Sequence, residues 1–268
     1  MVCIVIPVYQ TNLSELEKIS LQQCIDILGH HPICILNPSS LNVDVLTKKY
    51  TNISVKSLDD NYFESVNSYN RMMLSAEFYQ LFTDYNYILI YQLDSFVFKD
   101  DLLNWCKKGY DYIGAPWIST QEINRTLFYL KQKIALWFKL KHKNGVAYRD
   151  IIRANAVGNG GFSLRKVDKF IAAIKQHKKA ISYYLEHDDF RLNEDVFWGV
   201  EVNRYQKNIK TPTIKEAMSF SFETEPSLCF DLNNQQLPFG CHAWERYEFD
   251  FWKPFITKFG HFKTPFNL

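Results

Sequence analysis

A chain of 268 residues, 47% of them hydrophobic, can bury a sizeable core, which excludes a disordered protein. Its net charge of +2 lacks the strong basic excess of a nucleic-acid protein, and no nucleic-acid partner is expected. No apolar run approaches the roughly 20 residues that span a bilayer. The N-terminus enters Val2–Pro7 with no basic leader region, so no secretory signal is expected. The cysteines at 3, 24, 34, 106, 229 and 241 form no CxxC pair, which gives no zinc or redox motif. Several sit in apolar contexts and read as buried thiols, so the expected location is cytoplasmic.

In chain order, Val2–Val8 is a short β-branched run that predicts a buried strand. Leu13–Leu28 has near-helical apolar spacing, with Gly29 as a cap. Ile33–Leu36 predicts a second strand, Asn42–Tyr50 a short helix and Ile53–Val55 a third strand. Ser65–Phe82 carries Val66, Tyr69, Met73, Ala76, Phe78 and Leu81 near one face and predicts one helix. Tyr87–Tyr91 is apolar on both faces, the pattern of a central strand. This alternation predicts an α/β fold, a parallel sheet with helices on both faces. There is no GxGxxG after the first strand and no GxxxxGK[ST].

After Tyr91 the polarity breaks. Gln92 and Asp94 straddle Leu93, and an apolar run resumes at Phe96. A carboxylate at the end of a buried parallel strand lies where open α/β folds bind ligands. It is costly there without a partner, and a hard cation bridging to phosphate is one. The other reading is a turn cap.

Asp101–Lys107 predicts a helix, with Asp100 as N-cap. Asp111–Trp117 predicts a short strand entering a Gly/Pro turn. Trp117 there is a sugar platform or a packing aromatic. Residues 125–149 hold seven Lys or Arg and no Asp or Glu, interleaved with Trp137, Phe138 and other apolar residues. Such a helix lies on an anionic membrane surface or packs its apolar face on the protein.

Ala156–Leu164 is a second polar interruption, and its glycines allow close backbone approach or positive φ. A helix is expected over Lys166–Lys178. In Asn193–Gly199, Glu194 and Asp195 precede an apolar helix running to about Tyr205. They serve as helix-start acids or as a general base. His242 lies between Gly240 and Trp244, as a structural residue or a ligand. With no repeat or linker, one domain over 1–268 is expected.

Taken together, Ile6–Tyr9, Ser68–Leu74, Tyr91–Phe98, Asp111–Trp117, Gly158–Arg165, Asn193–Phe197 and His242–Trp244 resemble a GT-A-fold glycosyltransferase. They are similar more closely to a bacterial family catalogued as a domain of unknown function and regarded as glycosyltransferases. The resemblance implies a GT-A-like fold with a mixed, mainly parallel sheet flanked by helices. It implies a nucleotide-binding half over 1–98 and an acceptor and catalytic half over 99–268. It also implies a nucleoside-diphosphate sugar donor and a glycan or lipid-linked acceptor, as in bacterial surface polysaccharide synthesis, with an inverting outcome. Asp94 matches the last acid of the DxD motif and His242 the late metal ligand, which would hold Mn²⁺ or Mg²⁺. Gln92 stands where the first acid belongs, which weakens metal binding. Tyr9 and Arg71 would meet the nucleotide, and Gly160 and Gly161 the sugar. Asp195 would be the base, with Glu194 contacting the donor sugar or exchanging that role. Trp117 and Trp244 would face the acceptor. A sugar nucleotidyltransferase fits less well, because Pro7–Thr11 replaces its basic Gly-rich loop. A non-catalytic sugar- or nucleotide-binding module is the other alternative, favoured by Gln92.

Overall fold

The structure, a computed structural model, describes residues 1–48, 50, 52–118, 134, 137–138, 156–187, 189–204 and 206–262. Its centre is a six-stranded sheet in the order β3-β2-β1-β4-β7-β6. The strands are β1 (Val2–Pro7), β2 (Ile33–Pro38), β3 (Ile53–Leu58), β4 (Tyr87–Tyr91), β6 (Tyr112–Ile113) and β7 (Phe162–Lys166). β1, β2, β3 and β4 pair in parallel. β7 runs antiparallel to both β4 and β6. A smaller sheet joins β5 (Phe96–Val97), β9 (Gly240–Cys241) and β8 (Ser221–Phe222) in that order.

Alternation along the central strands sends side chains into two cores. Cys3, Val5, Ile88 and Ile90 face one, closed by the helices Val66–Met73, Ala76–Gln80, Val167–Gln176 and Glu194–Gly199. Val2, Ile4, Ile6, Leu89 and Tyr91 face the other, covered by the helices Glu15–Leu28 and Leu102–Lys107. This is the α/β sandwich expected from the sequence, with an antiparallel addition that strand–helix alternation did not predict. A third, aromatic cluster of Phe96, Phe98, Trp244 and Trp252 packs the small sheet against the helix Phe249–Thr257.

Several boundaries differ from expectation. The helix expected over Ser65–Phe82 is two helices, because the Ser75 hydroxyl accepts from the Phe78 N–H at 3.2 Å and caps a new start. The helix expected over Lys166–Lys178 ends at Gln176, and a second one runs over Lys178–Leu185. The helix opened by Glu194 stops at Gly199 and continues as a 3₁₀ turn over Glu201–Asn203. At the helix Leu102–Lys107 the N-cap residue is Asp101, yet it is the Asp100 carboxylate that accepts from the Leu102 N–H at 3.2 Å. All six cysteines are free, and Cys106 alone among them is not buried. Burial pushes the Cys3 thiol up to about 12 and the Cys34 thiol to about 11. Among the described residues no helix is long and apolar enough to cross a membrane. Of the basic segment 125–149 only Ile134, Trp137 and Phe138 are described, all exposed. The expected amphipathic helix otherwise lies outside the described residues.

Phe162 opens β7 fully buried, with its ring against Tyr91, Phe220 and Phe239. Phe162→Ala should cost about 3–5 kcal/mol of stability, read as a lower urea midpoint with an unchanged slope.

Candidate functional site

Register brings the candidate residues together. β4 ends at Tyr91 opposite Phe162, so Gln92 leaves the strand beside Gly161, and the Gln92 N–H donates to the Gly161 carbonyl at 2.9 Å. Across the small sheet Phe96 pairs with Cys241, and Phe222 pairs in parallel with Cys241. The next residues along β8 and β9 are Glu223 and His242, which are therefore neighbours. Pro7–Tyr9 leave β1 at the same sheet edge. These segments enclose a cleft of about 670 Å³, also lined by Tyr69, Asn70, Asn159, Glu194 and Asp195.

His242 is the hub. Its Nε2 lies 3.0 Å from Gln92 Oε1 and 3.1 Å from Asp94 Oδ1, and its Nδ1 lies 3.2 Å from Glu223 Oε1. Burial opposes its charge, but Asp94 and Glu223 outweigh it and raise the imidazole to about 10. Burial would also raise the Asp94 carboxyl, but His242 outweighs it and holds Asp94 below the usual carboxylate range. Asp94 Oδ1 is buried and ion-paired with His242, and by geometry it has no well-aligned hydrogen bond among the described residues.

A divalent ion fits this donor set. A buried carboxylate oxygen without a hydrogen bond among the described residues lies 3.1 Å from the imidazole nitrogen, and an amide oxygen lies 3.0 Å from the same nitrogen. One carboxylate and one imidazole suit Mn²⁺ better than Mg²⁺. Its entry would replace the proton on His242.

The second centre is a buried ion pair. Arg165 Nη2 donates to Glu194 Oε1 at 2.9 Å, and the side chains are 0% and 4% exposed. Asn193 and Asn70 fix the start of this helix: Asn70 Nδ2 donates to Asn193 Oδ1 at 3.0 Å, and Asn70 Oδ1 accepts from the Glu194 N–H at 3.1 Å. Glu194 Oε2 has no hydrogen-bond partner among the described residues. Asp195 lines the cleft beside it, and its Oδ1 accepts from the Val196 N–H at 2.7 Å.

Gly160 and Gly161 are glycines because of these two centres. A Cβ on Gly160 would lie 1.9 Å from Glu194 Oε1, and one on Gly161 would lie 2.0 Å from His242 Nε2. Neither has positive φ. The left-handed residue of this loop is Asn159, at φ 65°, whose Oδ1 accepts from the Gly161 N–H at 3.0 Å.

Tyr9, Gln92, Asp94, Gly160, Gly161, Glu194, Asp195 and His242 thus share one cleft. Three expected residues do not. Arg71 is exposed on its helix, and Tyr69 and Asn70, on a different face, line the cleft in its place. Trp244 is fully buried, stacked on Phe249 and edge-on to Phe96, so it has no surface to offer an acceptor. Trp117 is half-buried behind the glycine loop, with its ring against Gly158 and Gly199. Sequence reasoning missed Glu223, Tyr69 and the role of Arg165. An Arg inside the apolar strand Phe162–Lys166 was a readable signal. Glu223 had none, because only the pairing of β8 with β9 brings it to His242.

Similarity to known proteins agrees with this layout. The family model described as "Protein of unknown function (DUF5672)" matches residues 52–242, and the chain belongs to that family. No curated protein matches the sequence. Among solved structures, the galactosyltransferase LgtC in complex with donor and acceptor sugar analogs is similar at TM-score 0.55 and 12% identity, over 96% of this chain and 95% of that one. Mouse xyloside xylosyltransferase 1 is similar at TM-score 0.50 and 11% identity, over 90% and 96%. The glycosyltransferase GlyE of Streptococcus pneumoniae TIGR4 is similar at TM-score 0.52 and 11% identity, over 95% of this chain and 59% of its own. The fold is that of the GT-A glycosyltransferases.

Gly161→Ala should cost about 1–3 kcal/mol in urea unfolding, because the His242 ring must move. Adding His242→Ala should recover part of that loss, and a purely additive double variant would contradict the contact.

Proposed function

We propose that this member of the family transfers a sugar from a nucleoside-diphosphate donor to a hydroxyl of a glycan acceptor. The observation that carries the reading is the convergence of Asp94, His242 and Gln92 where β4 ends, inside the cleft that holds Glu194 and Asp195. The described lining is acidic: Glu17, Glu64, Glu223 and Glu245 add to those carboxylates, and Arg246 is the one Lys or Arg among the described residues that line it. An anionic diphosphate enters such a cleft only with its charge neutralised. Asp94 and His242, with Gln92, would hold the Mn²⁺ or Mg²⁺ that does this. When bound, the ion would supply Lewis acidity to the departing diphosphate.

The chain's own residues carry the rest. Tyr9, 62% exposed at the end of β1, would offer its ring to the nucleotide base. Glu194, held through one oxygen by Arg165, would accept a donor-sugar hydroxyl with the other. Asp195 would take the proton of the acceptor hydroxyl as that oxygen bonds to the anomeric carbon. The bond to the diphosphate breaks, and the nucleoside diphosphate leaves with the electron pair. Attack opposite the leaving group inverts the anomeric centre, and the anomeric coupling in the product NMR spectrum would show this.

A panel of sugar nucleotides with Mn²⁺, Mg²⁺ or EDTA tests the reading. One nucleotide family should raise the Tm in a metal-dependent way, and Asp94→Ala should abolish the shift. Asp195→Asn should keep the shift and lower turnover about 10²–10⁴-fold. Binding without release of nucleoside diphosphate would favour a non-catalytic module, for which Gln92 at the first acidic position speaks. Formation of nucleoside triphosphate and sugar 1-phosphate when pyrophosphate is added to the sugar nucleotide would favour a nucleotidyltransferase.

Residues 125–149, with Trp137 and Phe138 exposed, suggest that the acceptor is lipid-linked and met at an anionic membrane surface. The chain should float with anionic vesicles and not with neutral ones, and absence of binding at low salt would remove this element.

A further inference from the structure

We propose that His30, His31 and Asp100 form a second divalent-metal site, separate from the cleft and selective for a borderline-soft ion such as Zn²⁺. The three residues lie at the opposite edge of the sheet from the cleft, because His31 precedes β2 while the cleft gathers at the carboxyl ends of β1 and β4. His30 Nε2 lies 2.8 Å from Asp100 Oδ2, and His31 Nε2 lies 3.2 Å from both Asp100 oxygens. One ligand atom from each residue falls within 4.8 Å of the others.

Coordination chemistry matches this spacing. Zn²⁺ takes imidazole and carboxylate ligands at about 2.0–2.2 Å, which places tetrahedral ligand atoms roughly 3.3 Å apart. The His30–Asp100 separation would open by about half an ångström and the His31–Asp100 separation by about a tenth, while the two imidazole nitrogens would settle to the same spacing from within their present 4.8 Å. Two imidazoles and one carboxylate leave a fourth position for water. Mg²⁺ prefers an all-oxygen octahedral shell and gains little from such a set.

The ligands are held in place without an ion. Asn52 Nδ2 donates to the carbonyls of Gly29 at 2.9 Å and His31 at 3.0 Å, which pins the turn that carries both histidines. The Leu102 N–H orients Asp100. His31 is buried and His30 exposed, with ring centroids 4.2 Å apart, so the pair presents one inner and one outer ligand. Bound there, the ion would tie the turn after the first helix to a loop about 70 residues away, an entropic clamp on the unfolded chain.

The full chain, stripped with EDTA and carrying His242→Gln to weaken metal binding in the cleft, would be titrated with Zn²⁺, Mg²⁺ and Co²⁺. Zn²⁺ should raise the Tm by about 5 °C or more at saturation, and Mg²⁺ should not. His30→Ala, at an exposed position, should keep the fold and lose the Zn²⁺ shift, and Asp100→Asn should weaken it. One equivalent of Co²⁺ should develop the visible bands of a four-coordinate site, absent in His30→Ala. A Zn²⁺ response that survives His30→Ala, or no response to Zn²⁺ and no Co²⁺ bands, would overturn the proposal. Either result is independent of whether the cleft transfers sugar.

Discussion

Arg165 carries its charge where water does not reach, so every N–H of its guanidinium must find an acceptor within the protein. It does. Nε donates to Ser163 Oγ, Nη1 to the Tyr79 hydroxyl and Met73 Sδ, and Nη2 to Glu194 Oε1 and the Gly160 carbonyl. Those partners come from β7, from the two helices that follow β3, from the glycine loop and from the helix of the candidate base. One buried cation therefore sets the distance between the sheet and the segments that shape half of the cleft. A buried pair of this kind is not an efficient source of stability. Its effect here is geometric: it fixes Glu194, and with it the neighbouring Asp195.

The glycine loop follows from the same constraint. With Glu194 pressed on one peptide and His242 on the next, residues 160 and 161 have no room for side chains. The loop joins the two polar centres, the ion pair on one side and the Asp94–His242–Glu223 row on the other. Its left-handed turn falls on Asn159, whose own side chain ties the loop together. An asparagine there tolerates the conformation and also supplies the hydrogen bond that a glycine would lack.

What was legible in the sequence was whatever depends on short-range pattern. The apolar runs at Val2–Pro7 and Tyr87–Tyr91 announced central strands, and the polarity break at Gln92 and Asp94 announced the sheet edge where the cleft lies. Gly160 and Gly161 were recognisable as a close approach, though not what approached them. What was not legible depends on pairing at a distance. The antiparallel return of β7 beside β4 spans about 70 residues, and no local pattern encodes it. The resemblance puts Trp244 at the acceptor, but the third core claims it. Arg71 and Asn70 differ by one step along a helix, about 100° of rotation, and only the packing says which of them meets the cleft.

The pairing of β4 also bears on how the chain is made. During synthesis β1, β2, β3 and β4 can assemble in order, but the far edge of β4 stays open until β7 arrives. At ordinary rates of about 5–20 residues per second, the interval from Tyr91 to Lys166 lasts roughly 4 to 15 seconds. Throughout it the ribosome displays Tyr-Ile-Leu-Ile-Tyr, an unpaired apolar strand without a charge or proline to guard it. A nascent chain halted before residue 162 would thus carry a sticky edge and an unfinished cleft, a form suited to capture by a holdase chaperone and prone to aggregate without one.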